Sequence, residues 1–472
     1  MSAEVASSDI ASINLYAQKF HQGFLQCRDT ETKGRILAAT RDFAQGEIIL
    51  EELPLHIVQA DAASSEFSTL KSMCEAKKGF DYDALWYWAA LRSLCLEDLG
   101  SGFFSWTLLD KDRQERLLLL HTGEVSGPSR ATQAIARQLV PQLRDVDKLE
   151  RLLQAWIHNA FDFSDEPSGY ATYYFPSFMS HSCYPSAFWH YGADAERYVL
   201  RARRAIAAGD EVTVSYLEET LLLSHVQERR WDLFETKQFW CACERCTGGL
   251  DKSRGLACPK CPAGAVFGRV PDPGPAMDGD LLAAHLEGAV CGACAHVLTA
   301  AEAVKLHKQE ALLVAALKGW EERKMTETEA ALTDHLLTSG LPQHALADKC
   351  WEHLAKFYKS KRQYAKVAEI CLARSNFHAA VFPGLSAARG WSLEAFADAL
   401  VSTTRATSGK KRLRGGEEAA DSLQVLYRAL RAYAESERIL GIMFGVKHEF
   451  PEAIREKKSV AEKMVFVKLG VA

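Results

Sequence analysis

The 472-residue sequence has no run of about 18 apolar residues, so it offers no candidate for a membrane-spanning helix. Its N-terminal residues are polar and acidic and lack the basic and then apolar order of a secretory signal peptide. Charge of one sign is not in excess, since 56 lysines and arginines stand against 61 aspartates and glutamates. This balance gives no general attraction to nucleic acid, and such binding would need a local basic patch. We therefore expect a protein of the cytoplasm, the nucleus or both, with no membrane partner and no direct nucleic-acid binding.

Cysteines stand out from an otherwise ordinary composition. Of the 13 cysteines, most lie in closely spaced sets in the middle of the chain. In a long chain without a signal peptide this grouping favours metal binding over disulfides. The cysteines that stand apart are expected to be small buried apolar residues, and they are Cys27, Cys74, Cys95, Cys350 and Cys371.

Two sets of cysteines have the spacing of metal ligands. The first set has the pattern Cys-x-Cys-x2-Cys and consists of Cys241, Cys243 and Cys246. It offers three thiolates, whereas tetrahedral zinc needs a fourth ligand. The second set has two Cys-x2-Cys pairs, separated by a stretch rich in proline and glycine (270–279) that we expect to be a loop, and consists of Cys258, Cys261, Cys291 and Cys294. Four thiolates leave no open position, so we predict structural zinc there, with a redox-active Cys-x2-Cys as the alternative.

Two further segments are informative when taken together. Residues 175–185 read Phe-Pro-Ser-Phe-Met-Ser-His-Ser-Cys-Tyr-Pro, which suits neither a regular helix nor a strand. Residues 209–217 read as a Gly-Asp turn followed by a strand that ends in a tyrosine. Together they resemble the two halves of the knot-like active site of SET-domain protein lysine methyltransferases. Within this family the chain resembles the SET-and-MYND (SMYD) subfamily. The cysteine-rich MYND zinc finger of that subfamily is not recognisable here, because Cys74 is the only cysteine between Pro54 and Asp81.

The resemblance implies a protein-lysine N-methyltransferase that uses S-adenosylmethionine and acts on a protein substrate that presents a lysine. Tyr216 is then expected at the point of methyl transfer and Phe161 on the wall of the lysine channel. The residues expected to contact the cofactor are Lys33, Gly34, Arg35, Asn159, Ser177, Ser180, His181, Tyr216 and Phe239. Cys183 is expected to be the fourth ligand of the first zinc ion.

Three positions depart from the family pattern. Ile36 stands where the family has a second glycine, so the backbone there must avoid any φ that only glycine allows. Ser180 replaces an asparagine near the cofactor's amino group, and Lys237 replaces a frequent tyrosine. The first two departures favour an alternative function: a SET scaffold without strong catalysis that binds proteins through its C-terminal helices. A zinc-ribbon nucleic-acid binder is a third possibility, but it lacks a basic face.

The predicted fold class is α+β: a SET β-fold with a pseudoknot and a helical insert, a cysteine-rich zinc-binding post-SET region and an all-α TPR-like C-terminal domain. The predicted boundaries are 1–54 for the N-terminal part of the SET domain, 55–160 for the helical insert, 161–236 for the C-terminal SET core, 237–299 for the post-SET and zinc-ribbon-like region, and 300–472 for the helical domain.

Hydrophobic periodicity predicts individual elements within these regions. Strands are expected at 33–40, 47–52, 187–191 and 198–202, and a helix at 148–160. In the last third, Cys350, Leu354, Phe357 and Tyr358 share one helical face, and a second helix begins near Tyr364. This helical domain is a candidate for binding a protein partner. The basic run 410–414 is expected to be a solvated loop, with a nuclear-targeting patch or a patch for an acidic partner as the alternatives.

Overall fold

The chain passes several times between two structural units before residue 214. The computed structural model describes residues 3–76, 79–100, 106–192, 194–272, 274, 285–341, 343–408 and 417–469. The first unit consists of Met1–Ser180, Trp189–Arg201 and Ala205–Thr213, and the second consists of His181–Phe188, Ala202–Arg204 and Val214–Ala472. The predicted five-part domain division stays a prediction.

Short strands alternate with helices in the chain up to Val214. The elements are α1 (Ala3–Phe20), β1 (Leu25–Thr30), β2 (Gly34–Ala39), β3 (Ile48–Glu52), β4 (His56–Gln59), α2 (Ser65–Ala76), α3 (Ala84–Arg92), α4 (Leu96–Leu99), α5 (Lys111–Leu118), α6 (Arg130–Leu139), α7 (Val146–Asn159), β5 (Ala160–Asp165), β6 (Ser168–Thr172), β7 (Ser180–His181), β8 (Ala187–Tyr191), β9 (Tyr198–Ala202) and β10 (Thr213–Val214).

The first strands form an antiparallel hairpin in which Thr30 pairs with Gly34. Gly34 has a φ of 65°, a left-handed conformation that glycine adopts without steric cost, and it closes the turn between β1 and β2. Ile36 instead pairs with Arg28 inside β2. The departure from the family pattern at Ile36 is therefore harmless to the backbone. The prediction of a strand at 33–40 is confirmed, whereas β1 had no predicted counterpart because only Leu25 and Cys27 mark its buried face.

Three further sheets contain the remaining strands of this part of the chain. Their strand orders are β4-β6-β5, β3-β9-β8 and β10-β7. The predicted strands at 187–191 and 198–202 are confirmed at those boundaries. The predicted strand that ends in Tyr216 is shorter than expected and covers only Thr213–Val214. It stops there because the backbone N–H of Tyr216 donates to the His181 ring and not to a strand carbonyl.

Helices α2 to α7 bury a core of large side chains within the first unit. Trp88 and Trp156 are fully buried, and the indole N–H of Trp156 donates to the Ser93 hydroxyl at 2.8 Å, which satisfies its donor away from water. Helix α7 begins where the Asp145 carboxylate accepts the backbone N–H of Lys148. The predicted helix at 148–160 is confirmed. Strand β4 was missed within the predicted helical insert, because its four residues are too few for a periodic signal.

The second unit is mainly helical beyond residue 214. Its elements are α8 (Val226–Lys237), α9 (Glu244–Thr247), β11 (Leu250–Ala257), β12 (Ala265–Arg269), α10 (Ala300–Glu322), α11 (Glu327–Gly340), β13 (Gln343–His344), α12 (Ala345–Ser360), α13 (Tyr364–Val381), α14 (Ala387–Ser408), α15 (Glu417–Phe444) and α16 (Glu449–Leu469).

The helices from α12 to α16 each pack against the next one along the chain, around a shared apolar core. Capping boxes start α10 and α11, where Thr299 pairs with Glu302 and Thr326 with Glu329. The prediction of a helical C-terminal domain is confirmed, although it is not strictly all-α, because the two-residue strand β13 pairs with β11. Its likeness to TPR repeats stays a prediction. No helix within the described residues is long and apolar enough to span a bilayer. The basic run 410–414 and most of the expected loop 270–279 lie outside the described residues.

Candidate active site and metal centres

Four thiols of the second unit form a group that could hold a metal ion, which we call the first metal centre. The sulfur of Cys183 lies 4.0 Å from that of Cys241 and 3.5 Å from that of Cys246, and Cys243 completes the group. Zinc with Zn–S bonds of about 2.3 Å needs sulfurs about 3.8 Å apart in a tetrahedral site. The spacing and the donor set therefore fit zinc. The fourth thiol, which sequence spacing alone did not identify, comes from the segment after β7.

Two buried arginines and one half-buried arginine surround this centre. Arg229 approaches the Cys246 sulfur at 3.6 Å, Arg230 donates to the carbonyl oxygens of Cys241 and Cys246, and Arg245 donates to that of Cys183. Burial by itself lowers the pKa of Arg229, but the nearby sulfurs raise it above its ordinary value. Burial and the neighbouring Arg229 lower the pKa of Arg245 to about 9.

These guanidinium groups indicate the charge that the centre must carry. A dication with four thiolates has a net negative charge, which favours cationic groups buried next to it. In the described residues, the three guanidinium groups donate hydrogen bonds to carbonyl oxygens, to a sulfur and to the Ser253 hydroxyl. The arginines therefore suit a negatively charged metal–thiolate centre.

The second metal centre is formed by the other four thiols. The sulfur of Cys258 lies 3.7 Å from that of Cys294, and the sulfur of Cys261 lies 3.7 Å from that of Cys291. Gly264 packs against this group, and a Cβ on it would lie 2.2 Å from the Cys291 sulfur. Only a hydrogen atom fits there, so the loop between β11 and β12 approaches the thiols closely. The four sulfurs lie within 4.8 Å of one another, which fits structural zinc.

The predicted catalytic tyrosine lies in a cluster of rings in the second unit. Its backbone N–H donates to Nδ1 of His181 at 3.0 Å, and Nε2 of His181 lies 3.2 Å from the Cys183 sulfur. The ring centroids of Tyr216 and Phe239 are 6.4 Å apart and the two rings are perpendicular. The Lys237 ammonium lies 5.9 Å from the Tyr216 ring. Tyr216 is 42% exposed, so its side chain can meet a ligand.

The predicted cofactor contacts of the first unit lie around the β1–β2 turn and the end of α7. The Lys33 ammonium pairs with the Glu211 carboxylate at 2.6 Å, and the Arg35 guanidinium lies 4.9 Å from the centre of the Phe178 ring. Burial and the positive charge of Arg35 lower the pKa of His121. The space beside Gly34 is open, because no atom lies within 4 Å of where a Cβ would be.

The two amide hydrogens of Asn159 are used inside the first unit. They are donated to the carbonyl oxygens of His121 and Ala155, both at 2.7 Å. The Ser177 hydroxyl donates to the Tyr173 carbonyl at 2.5 Å, and Ser180 is half-buried in β7. A contribution of Asn159 to ligand binding would therefore come from its side-chain oxygen or its backbone.

Phe161 lies in an aromatic cluster of the first unit. Its ring centroid is 5.2 Å from that of Trp189, 5.4 Å from that of Tyr173 and 5.6 Å from that of Tyr198, in edge-to-face geometry. Trp189 stacks on Tyr198 with an interplanar angle of 13°. Sequence reasoning identified Phe161 but missed its three neighbours, because aromatic residues in strands are usually core residues and their grouping depends on strand pairing.

Glu52 is a second residue that sequence reasoning missed. It is buried at the end of β3, where one carboxylate oxygen accepts the backbone N–H groups of Tyr174 and Phe175, and the other contacts Nε2 of His21 at 2.9 Å. These bonds hold the chain immediately before the segment that carries Ser177. Glu52 and Tyr174 are 122 residues apart in the sequence, so no local pattern could reveal their contact.

Replacement of Glu52 by alanine is expected to destabilise the first unit. The change leaves two buried N–H groups and the His21 ring without their acceptor, and each unsatisfied group costs about 1–3 kcal/mol. Glu52→Gln retains a carbonyl oxygen for both N–H groups and should lose only about 1 kcal/mol. Urea unfolding followed by tryptophan fluorescence measures the difference. If Glu52→Ala unfolds at the same urea concentration as the natural protein, this role of Glu52 is wrong.

A separate cavity of the second unit contains none of the predicted site residues. It has a volume of about 300 Å³, and its lining includes His225, His285, His307 and His344. Glu310 in its wall is bonded by Arg254 at 2.7 and 2.8 Å and by His344 at 2.9 Å. Burial by itself raises the pKa of Glu310, but these bonds hold it well below its ordinary value. The charges of this cavity are thus largely paired with one another.

Comparison with known proteins identifies a SET domain in part of the chain. Residues 34–217 match the family model of the SET domain. A SET and MYND domain-containing protein of Dictyostelium discoideum is 37% identical over 87 residues, which are 18% of this chain and 24% of that protein. The histone-lysine N-methyltransferase ASHR1 of Arabidopsis thaliana is 25% identical over 289 residues, 48% of this chain and 56% of that protein. The chain thus spans about a quarter of the length of the Dictyostelium protein and just over half of the length of the Arabidopsis protein.

One solved structure, the SET domain of LSMT bound to lysine and AdoHcy, aligns with 97% of this chain and 91% of its own at 12% identity, with a TM-score of 0.30. The SET domain is identified by the family match at residues 34–217 and by the motifs of residues 175–217. We conclude that this chain contains a SET domain at residues 34–217.

Proposed function

We propose that the protein is a protein-lysine N-methyltransferase that transfers a methyl group from S-adenosylmethionine to a lysine side chain of a protein substrate. The observation that carries the proposal is the position of Tyr216 within the SET domain. The backbone N–H of Tyr216 donates to His181, and the Tyr216 ring lies beside Phe239 and near the four thiols of the first metal centre. A fold supports many functions, so this site supports the proposed reaction more strongly than the family does.

The residues present fit the proposed cofactor. Phe239 offers a flat ring of the kind on which an adenine stacks. In the first unit, Gly34 leaves open space beside the β1–β2 turn, and the Asn159 side-chain oxygen can accept a hydrogen bond or face a cation. The proposed cofactor contacts are Lys33, Gly34, Arg35, Asn159, Ser177, Ser180, His181, Tyr216 and Phe239. S-adenosylmethionine supplies an activated methyl group on a sulfonium.

The reaction needs a neutral lysine amine in line with the methyl group. A free lysine has a pKa of about 10.4, and transfer into an apolar surrounding lowers it. We propose that Phe161 and its aromatic neighbours provide that surrounding, and that the Tyr216 hydroxyl orients the amine. The Lys237 ammonium, 5.9 Å from the Tyr216 ring, adds a like charge that further disfavours a charged substrate lysine. Positioning of the reactants then supplies most of the rate.

A catalytically weak scaffold is the second candidate function. Ile36 no longer supports it, because the turn uses Gly34 and Ile36 lies in a regular strand. Ser180 still supports it, since a serine offers fewer hydrogen-bonding groups than the asparagine of the family. In that case the protein would bind partners through helices α10 to α16.

Calorimetric titration of the zinc-loaded protein with S-adenosylmethionine and S-adenosylhomocysteine tests the proposal. We expect micromolar binding that is weakened at least about tenfold by Asn159→Ala and by Phe239→Ala. Tyr427→Ala, which removes an exposed aromatic side chain of α15, is the control and should bind as the natural protein does.

The outcome distinguishes the two candidate functions. Binding that both site variants lose supports the methyltransferase and justifies a search for methylated lysines in proteins incubated with the enzyme. Failure of a folded protein with two bound zinc ions to bind either compound contradicts the proposal and favours the scaffold.

A further inference from the structure

One imidazole ring connects the first metal centre with the proposed catalytic tyrosine. His181 is 6% exposed, and its two ring nitrogens face different partners. Nδ1 is 3.0 Å from the backbone nitrogen of Tyr216, and Nε2 is 3.2 Å from the sulfur of Cys183. These groups all belong to the second unit.

The partners determine which nitrogen carries the proton. A backbone N–H can only donate, so Nδ1 must accept and carries no hydrogen in this arrangement. A neutral ring then has its hydrogen on Nε2 and donates it to the Cys183 sulfur. A thiolate accepts such a bond well, and a charge-assisted hydrogen bond is stronger than a neutral one. The contact with a metal-bound thiolate thus selects the tautomer that can also hold Tyr216.

The ring has little freedom to move away from either partner. The Phe239 ring lies 6.1 Å from it on centroids, and the backbone N–H of Ser182, the next residue, donates to the Val214 carbonyl at 2.9 Å. The backbone N–H of Cys183 in turn approaches the Cys243 sulfur at 3.4 Å. The backbone that follows His181 is therefore held by Val214 and Cys243.

We propose that His181 is a positioning residue through which the first metal centre fixes the backbone of Tyr216. This inference rests on the proposed function for its effect on turnover, but the coupling itself is a property of the folded protein. Any change in the Cys183 thiolate then alters the Nε2 hydrogen bond and, through the ring, the bond to Tyr216. A displacement of about 1 Å at a reacting group can cost about a hundredfold in rate.

The first experiment measures the coupling in the natural protein without any turnover. Nitrogen NMR should show an unprotonated Nδ1 and a protonated Nε2 in His181. Exchange of zinc for cadmium at the first centre lengthens the metal–sulfur bonds, and we expect it to shift the Nε2 resonance of His181 and the amide resonance of Tyr216. A protonated Nδ1, or an amide of Tyr216 that the exchange leaves unmoved, overturns the inference.

Two substitutions of His181 then test the two ring nitrogens separately. His181→Asn places a side-chain oxygen near the position of Nδ1, and His181→Gln places a side-chain amide near the position of Nε2. We expect His181→Gln to retain the thiolate contact, so that zinc loss to a chelator stays near the natural rate, and His181→Asn to speed that loss by about tenfold. In both variants turnover should fall at least about tenfold. Affinity for S-adenosylmethionine should change by less than about threefold, because both ring nitrogens have partners within the protein and the contact of residue 181 with the cofactor is expected from its backbone, which both variants keep.

The results keep this inference distinct from the proposed function. If the natural protein has no methyltransferase activity, the proposed function fails, and the NMR result alone decides on the coupling. If turnover exists and His181→Gln retains all of it, the coupling is wrong although the function stands. A parallel loss of cofactor affinity and turnover would make His181 a simple binding contact and would also overturn the inference.

Discussion

Tyr216→Phe is expected to lower turnover by about a hundredfold or more while affinity for S-adenosylmethionine stays within about threefold. The substitution removes only the hydroxyl. The contact of the backbone N–H with His181 and the ring packing near Phe239 remain, so the cofactor surroundings should not change. A loss in turnover alone is the signature of an interaction made in the transition state.

Initial rates with a methyl acceptor and calorimetry on the same preparations measure the two quantities. Tyr427→Phe, at an exposed tyrosine of α15, is the matched control and should keep the natural rate. Equal rates of Tyr216→Phe and the natural protein would remove Tyr216 from the mechanism. A loss of cofactor affinity as large as the loss of rate would make it a binding residue instead.

Cys241→Ser is expected to remove one of two bound zinc ions and to unfold much of the second unit at ordinary temperature. Structural zinc sites supply about 10–16 kcal/mol of apparent binding free energy, which is comparable to or larger than the stability of a typical domain. The loss is aggravated by the arginines around the centre, which would lose the negative charge next to them; Arg229 and Arg230 are buried and Arg245 is half-buried. Few single substitutions in this chain should have a larger effect on stability.

Metal analysis and thermal unfolding measure these changes together. Cys74→Ser is the matched control, because Cys74 is half-buried in α2 and belongs to neither metal centre. It should keep two zinc ions and nearly the natural unfolding temperature. Two zinc ions in Cys241→Ser would contradict the assignment of the first centre.

Local patterns predicted most of what is local in this protein. The spacing of Cys241, Cys243 and Cys246 identified three ligands, and alternation identified β8 and β9 at their observed boundaries. Strand β1 escaped because its polar residues weaken the alternation, and its place depends on pairing with β2.

Contacts between distant residues were beyond sequence reasoning. Glu52 holds residues that are more than a hundred positions away, and the neighbours of Phe161 are assembled by strand pairing. The strand before Tyr216 also ends early because of a contact between distant residues. The backbone N–H of Tyr216 donates to the His181 side chain and not to a carbonyl of a neighbouring strand. Cys183 was found only through the resemblance to a family, which supplies such long-range information.

The position of the first metal centre affects how the protein can be divided for expression. The family match ends at Leu217, but three of the four thiols follow it, the last at Cys246. A fragment that ends at the family boundary therefore carries Cys183 and His181 without the ion that would fix them. The smallest fragment in which this site can mature must extend beyond residue 246.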